Sequence, residues 1–153
     1  VLSYNPRMSI IPVPKANAML ICDYVITERG TNKKSLIGVF ENIGAVQFPC
    51  THYQLSVYIK LTDAQGKYRF RLELTDLQND ATIGKSEMPE PIQIANPLIT
   101  HELVFNLRGL RFPHAGEYEF RIFANDHIFG QKSFIVNEIK PNGQPNAHPE
   151  SQH

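Results

Sequence analysis

Alternation of apolar and polar residues is the feature that most constrains what this chain can fold into. Apolar residues fall at every second position in 53–61, 68–74, 103–107 and 118–122, with mostly polar residues between them. Successive side chains of a β-strand point to opposite faces, so the pattern predicts strands with one buried and one wet face. The turn at 63–66 predicts a β-hairpin of the first two segments, and Asn125–Asp126 predicts a turn into a strand near 128–136. We expect an all-β, antiparallel sandwich of about 7–9 strands.

Two early segments, 18–27 and 35–48, are apolar at neighbouring positions, with Asp23 as the exception in the first. Strands that are apolar on both faces are covered on both faces, whereas a two-layer sandwich covers only one face of each sheet. This predicts an interface with a protein partner or a second copy in a homo-oligomer, formed by Met19, Ile21, Val25, Leu36 and Phe40. Residues 8–14, which include Ile10, Ile11 and Val13, are the candidate for an exchanged arm.

Composition divides the chain into three parts. Residues 1–16 carry three prolines and no clean period, which predicts an extended N-terminal arm, and whether Val1 or Met8 is the natural start stays open. Residues 17–139 form the sandwich domain. Residues 140–153 hold three prolines and almost nothing apolar, so we expect a disordered tail.

The segment before the last hairpin carries a fold signal. His114, Gly116, Tyr118 and Phe120 stand at alternate positions. This spacing is similar to the tyrosine corner of immunoglobulin-like domains, in which a tyrosine near a strand start bonds back to backbone a few residues upstream. Tyr118 and Gly116 are therefore the predicted structural residues of an immunoglobulin-like sandwich.

The chain also resembles a bacterial family of small, uncharacterised cytoplasmic proteins. The resemblance rests on ICDYV at 21–25, LIGVFENIGAVQFP at 36–49 and LRGLRFPHAGEYEFRIFAND at 107–126. It implies a cytoplasmic β-sandwich and supplies no catalytic residues.

Net charge and hydropathy indicate which kinds of partner this chain is not expected to bind. Lys and Arg together number 15, as do Asp and Glu, and a zero net charge argues against general binding to nucleic acid. No apolar run approaches the roughly 18 residues that span a bilayer, so no membrane partner is expected. The first residues do not have the pattern of a signal peptide, which predicts a cytoplasmic protein with free thiols at Cys22 and Cys50.

Few residues are candidates for a catalytic, metal-binding or ligand-binding site. The six histidines contain no pair at metal-ligand spacing, and phosphate-binding and nucleophile motifs are missing, so we expect no metal and no cofactor. Asp23 lies inside an apolar strand, and His52 follows Cys50 by two residues. These three residues are the alternative site, in a small-ligand-binding protein or enzyme.

A second open question concerns the wet face of the predicted central hairpin. It carries Lys60, Arg69 and Arg71 near Tyr58, an arrangement that could bind an anion, although nearby glutamates could neutralise it. The leading hypothesis remains a non-enzymatic protein-interaction or assembly module, because the strands are well patterned and catalytic motifs are missing.

Overall fold

The structure is a computed structural model that describes residues 10–141. Eleven β-strands occupy this range and it contains no helix. In chain order they are β1 Lys15–Thr27, β2 Lys34–Val39, β3 Asn42–Ala45, β4 Cys50–Thr62, β5 Gly66–Tyr68, β6 Phe70–Asp76, β7 Ala81–Glu87, β8 Ile92–Ile94, β9 His101–Phe112, β10 Gly116–Ala124 and β11 His127–Glu138.

Two sheets form the layers of a sandwich. One has the order β2-β1-β4-β9 and the other the order β3-β11-β10-β6-β7, while β5 and β8 form a separate pair. Neighbouring strands run antiparallel except β3 and β11, which are parallel. The all-β, antiparallel fold class is therefore confirmed, with nine strands in the two layers and two more in the small pair.

The core lies between the two layers. The buried alternation of β4 points inward and meets the aromatic side chains of β6, β9, β10 and β11, which stack or meet edge to face. The largest of these fully buried side chains are Phe70, Phe112, Tyr118, Phe120 and Phe134. The period-two pattern thus identified the buried faces of β6 and β10, whereas in β4 the predicted inward Tyr53 is exposed and the predicted wet-face residues Ser56 and Tyr58 are buried.

The tyrosine corner is present. The Tyr118 hydroxyl donates to the carbonyl oxygen of His114 at 2.6 Å and accepts from the amide of His114 at 3.4 Å. Gly116 has φ 149°, a backbone angle that residues with a side chain rarely adopt. The corner therefore anchors the start of β10, as predicted for Tyr118 and Gly116.

Two strand assignments were wrong. The segments 53–61 and 68–74 do not form a hairpin, because β4 lies in one layer and β6 in the other. The segment 35–48 is two strands, β2 and β3, in different layers. Both errors have one cause: strands that face each other across a core have the same alternation as strands paired in one sheet.

The strands of the described residues run from Lys15 to Glu138. β1 begins at Lys15, two residues before the predicted domain start, and β11 ends at Glu138. Residues 1–9 of the arm and 142–153 of the tail lie outside the described residues. Within the described part of the arm, the Pro12 carbonyl accepts a 2.6 Å hydrogen bond from Tyr68. Residues 10–14 therefore contact their own chain.

Candidate functional site

The C-terminal part of β1 and the whole of β2 leave the four-stranded sheet as a two-stranded ribbon, which we define as residues 23–27 and 34–39. The ladder between β1 and β4 ends at Cys22 and Ser56. The ladder between β1 and β2 begins at Cys22 and Val39 and continues to Thr27 and Lys34. Within residues 10–141 no third strand pairs with the ribbon. Because an isolated hairpin is marginally stable in water, such a ribbon gains from further contacts.

Apolar side chains cover the outer face of the ribbon, the face turned away from the core. Tyr24 lies opposite Ile37, with Ile26 and Val39 beside them on the same face. Their exposed fractions are 46%, 37%, 47% and 53%, respectively. Single exposed apolar residues are ordinary, but a contiguous group marks an interaction surface.

The five predicted interface residues lie on the other face. Ile21 is fully buried in the core, and Met19 and Phe40 pack against it. Val25 and Leu36 are half-buried and lie opposite each other on the inner face of the ribbon. The prediction of a free patch formed by these residues was wrong, because a segment that is apolar at every position has no period to distinguish its two faces.

The tip of the ribbon, residues 28–33, is basic. Its turn is held by hydrogen bonds from the Glu28 amide to the Lys33 carbonyl and from the Asn32 amide to the Glu28 carbonyl. Arg29 and Lys33 are exposed there, next to the Lys34 ammonium group that donates to Thr27. The tip thus carries two cations and one carboxylate, and Lys34 adds a third cation at the adjoining start of β2.

The base of the ribbon borders a concavity of about 340 Å³, which we name the basal concavity. Asp23 and His52 both line it, so the structure brings together two of the three residues of the alternative site. Gly38 has φ 69°, and a Cβ atom at this position would lie 2.2 Å from Oδ2 of Asp23. The carboxylate of Asp23 therefore occupies the space that the missing side chain leaves.

His52 is held beneath this surface. Its ring lies 5.9 Å from that of Phe40, and its buried Nε2 atom has no hydrogen-bond partner among residues 10–141. A buried polar atom without a hydrogen-bond partner reduces the stability of the folded state, and such atoms are few in native proteins. Val39 and Ile43 complete the apolar wall.

Cys50 does not line the basal concavity. Burial raises the pKa of the Cys50 thiol, although hydrogen bonds with backbone partly offset the shift. Burial and then the nearby charge of Asp23 raise the pKa of Cys22. The thiolate is the nucleophilic form of cysteine, so these environments disfavour nucleophilic chemistry at both residues.

The predicted basic face is divided between the two layers. Lys60 lies in β4 opposite Glu102, whose carboxylate accepts a hydrogen bond from Tyr58. Arg71 lies in β6 and pairs with Glu73 and Asp126, both at 2.7 Å. Arg69 lies directly before β6, and its side chain is exposed. The structure does not assemble one cationic surface from these residues.

A buried ion pair beside the tyrosine corner was missed by the sequence reasoning. The Asp76 carboxylate is almost fully buried and lies 2.6 Å from Nε2 of His114, whose Nδ1 lies 2.7 Å from the Ala115 carbonyl. Both ring nitrogens are thus engaged, which suits a structural role. Residues 38 positions apart on separate strands carry no local signal that joins them.

The described part of the chain offers no cluster of side chains that could bind a metal ion. Residues 10–141 contain no group of three or more His, Cys, Asp and Glu side chains placed to hold an ion.

Comparison with known proteins places the chain in a family. The model of a family of unknown function, DUF6941, matches residues 17–137. The chain belongs to the DUF6941 family. No curated protein matches its sequence.

Solved structures relate this DUF6941 protein to others by fold. It is similar to the alkylpurine DNA glycosylase AlkC of Pseudomonas fluorescens bound to DNA with an abasic site analog, with a TM-score of 0.51 and 7% identity. The alignment covers 81% of this chain and 30% of the glycosylase. An immunoglobulin-like protein from Pseudomonas aeruginosa has a TM-score of 0.43 and 15% identity over 81% of this chain and 96% of its own.

A third similar structure is a mutant beta-glucosidase from Listeria innocua in complex with laminaribiose. Its TM-score is 0.47 at 10% identity, over 85% of this chain and 16% of the glucosidase. This DUF6941 protein thus spans less than a third of either enzyme, and identities this low concern the fold alone. In the described range, none of its elements is a helix with the length and apolarity to cross a bilayer.

Proposed function

We propose that this protein is a non-enzymatic interaction module that binds another protein chain through the ribbon. The observation that carries this proposal is the group Tyr24, Ile26, Ile37 and Val39, exposed together on an element that leaves its own sheet. Interaction surfaces are enriched in aromatic and large apolar side chains of this kind.

Burial of the exposed ribbon side chains would stabilise a complex. Each of these side chains is about half exposed, and full burial of such a side chain stabilises by about 1.5–3 kcal/mol, so covering the exposed part contributes about 1 kcal/mol each. The cost of association offsets much of this sum. We therefore expect a reversible complex rather than an obligate one.

Backbone groups add to the binding capacity of the ribbon. β2 is the edge strand of its sheet, and an edge strand presents amide and carbonyl groups that can pair with a strand of a partner. No proline interrupts residues 18–48. Apolar side chains and a pairable edge on one element suit recognition of a protein more than recognition of a small solute.

We place this interaction in the cytoplasm. Cys22 and Cys50 are both free thiols, the state that a reducing compartment favours.

Photo-crosslinking tests the proposal. The photoreactive residue p-benzoylphenylalanine is placed at Ile37 in one protein and at Ile83 in a matched control, because both side chains are 37% exposed and Ile83 lies in β7 of the other sheet. After irradiation in lysate of the native organism, we expect a discrete crosslinked product of defined mass from position 37 only. A product at the mass of two copies identifies self-association, and another mass identifies a different protein.

A competing variant sharpens this experiment. Ile26→Ser in the protein carrying the crosslinker at 37 should remove the product, whereas Ile135→Ser should leave it, because Ile26 and Ile135 are 47% and 46% exposed. The same diffuse products from positions 37 and 83 would contradict the proposal.

A second candidate function is the binding of a small ligand in the basal concavity. The specific observation in its favour is that Asp23 and His52 line the same surface. A library of small amines would be screened by thermal shift against the protein and its Asp23→Asn and Glu90→Gln variants. A rise in Tm that only Asp23→Asn abolishes favours this candidate, and equal responses of the three proteins oppose it.

A further inference from the structure

We infer that this protein binds a small amphipathic carboxylate, an anion with an apolar tail, in a cavity between β7 and β9. These two strands are edge strands, one in each layer, and both border the cavity. The ribbon lies at the other edge of the four-stranded sheet, which β2 forms. The inference therefore goes beyond the proposed function and is independent of it.

The cavity, which we name the seam cavity, has a volume of about 210 Å³ and an apolar floor. The floor is formed by Leu72 and Leu74 of β6, Leu107 and Leu110 of β9, and Phe120 of β10. The three side chains from β6 and β10 are almost fully buried in the core, and the two from β9 are half-buried. Both layers therefore contribute apolar surface to one opening in the side of the sandwich.

The space exists because β7 presents small side chains to the interior. Gly84 lies opposite Leu74, and Ser86 lies opposite Leu72, in the ladder between β6 and β7. Residues that lie directly opposite each other share a face of the sheet, so both small residues face inward with the leucines. A Cβ atom on Gly84 would meet Leu74 at 3.7 Å, an ordinary van der Waals distance. Neither position carries a large apolar side chain that would fill the gap between the layers.

The opening of the seam cavity to solvent is cationic. Lys85 and Arg108 border it, and no aspartate or glutamate of residues 10–141 does. Lys85 lies opposite Glu73, whose carboxylate offsets its charge. Arg108 is exposed, lies opposite the neutral Gln54 and forms no ion pair within the described residues. Its guanidinium group is therefore available to pair with an anion at the opening.

The apolar floor and the cationic opening together define the class of ligand. Small-molecule sites are mostly apolar, with a few polar groups that fix the orientation of the ligand, here the Arg108 guanidinium and the Ser86 hydroxyl. Since an apolar cavity of about 150 Å³ holds benzene, a cavity of about 210 Å³ corresponds to about eight carbon atoms. An amine would be repelled by Arg108, and a dicarboxylate would place a charge on the apolar floor. Octanoate matches both the size and the charge.

Titration of the 15N-labelled full chain with octanoate, followed by amide NMR shifts, tests the inference. We expect a saturable change centred on Gly84, Ser86 and Leu107, with a Kd of roughly 0.1–1 mM for a ligand of this size. Hexanoate should bind about fifteenfold more weakly, because each of its two missing methylene groups contributes about fourfold to affinity. Decanoate should gain less than about twofold over octanoate, since its tail exceeds the cavity, and acetate should cause no localised change.

Two pairs of variants locate the site. Ser86→Leu fills the cavity and should weaken octanoate binding by about tenfold or more. Thr82→Leu, at an exposed position of the same strand, should leave the Kd within about twofold. Arg108→Gln should weaken binding about threefold to fivefold, the size of an exposed ion pair. Arg111→Gln, at an exposed arginine outside the cavity, should leave the Kd unchanged. Urea denaturation verifies that every variant is folded.

Three results would overturn the inference: no saturable shift with octanoate, shifts centred away from the seam cavity, or an unchanged Kd in a folded Ser86→Leu protein. If that variant does not fold, the series of carboxylates on the wild type decides. Equal affinity for acetate, hexanoate and octanoate rejects the inference, because the tail would then contribute nothing. These results are separate from the crosslinking at Ile37, which tests the ribbon.

Discussion

At the scale of single residues, the ion pair of Asp76 and His114 makes the tyrosine corner sensitive to pH. The hydrogen bond with the Ala115 carbonyl, followed by the one with Asp76, raises the pKa of His114 above its ordinary 6.5. Burial alone would raise the pKa of Asp76, but hydrogen bonds from His114, Gln78 and Asn79 bring it below 3.8. The charged pair therefore links β6 to the turn that precedes β10.

The sign of each contribution follows from these directions. The stability contributed by His114 is fully present below pH 6.5 and is lost as pH rises through its raised folded pKa. The stability contributed by Asp76 is present above pH 3.8 and is lost as pH falls through its lowered folded pKa. Both contributions coexist between about pH 4 and 6.5.

We predict that His114→Gln destabilises the protein more at pH 5.5 than at pH 9. At pH 5.5 the change removes a hydrogen bond between charged groups, worth about 1.5–3 kcal/mol, whereas at pH 9 much of that contribution is already absent from the wild type. Urea denaturation at the two pH values measures the difference. His127→Gln, at an exposed histidine, is the control, and an equal loss for His114→Gln at both pH values would exclude the charged pair.

At the scale of elements, Gly38 determines the course of β2. Its φ of 69° lies in the left-handed region, and the Asp23 carboxylate lies where a side chain would start. The strand turns here from the edge of one layer towards β3 in the other. This change of layer follows from a backbone conformation that glycine adopts readily and other residues rarely do.

We predict that Gly38→Ala lowers the free energy of unfolding by more than the roughly 1–2 kcal/mol that a left-handed alanine costs, because its Cβ also collides with Asp23. The double variant Asp23→Ala with Gly38→Ala should recover the collision component but retain the backbone component. Denaturation of the two single variants and the double variant forms a double-mutant cycle. Additive effects would show that Asp23 and position 38 are independent.

At the scale of the whole molecule, the arm and the ribbon have separate contacts. A Cβ atom on Gly66 would meet Ile11 at 3.1 Å, Pro14 is buried, and Pro12 accepts the hydrogen bond of Tyr68. These contacts hold residues 10–14 against β5, whereas the ribbon is formed by the opposite end of β1 from Lys15. The structure thus gives the described part of the arm a role within its own chain.

We predict that a chain beginning at Lys15 is less stable by about 1–3 kcal/mol, because Tyr68 loses an acceptor and the apolar contact of Ile11 is removed. Its photo-crosslink from position 37 should keep a yield within about twofold of the full chain, because the ribbon lies at the other end of β1. Thermal denaturation and the crosslinking assay measure the two quantities. A stable truncated chain that loses the crosslink would assign the interface to residues 8–14.

Much of the fold was predictable from local pattern. The alternation in residues 55–61 and 118–122 identified inward-facing side chains, because strand geometry alone places every second residue on one face. It did not predict that Tyr53 is exposed or that Ser56 and Tyr58 are buried. Tyr118 was predictable because its hydrogen bond reaches only four residues upstream. In the candidate site, Asp23 stood out as a charge within an apolar strand, but its proximity to His52 depends on how β1 and β4 diverge.

The sequence by itself determined the all-β class, the core-facing residues of strands such as β6 and β10, and the tyrosine corner, because each depends on residues close together in the chain. Only the tertiary structure decided that β4 and β6 lie in different layers, that Asp76 meets His114, and that Tyr24 and Ile37 are exposed instead of Ile21. Those outcomes depend on which strands pair over long separations. Strands paired in one sheet and strands facing each other across the core carry the same period of two, so local pattern cannot distinguish them.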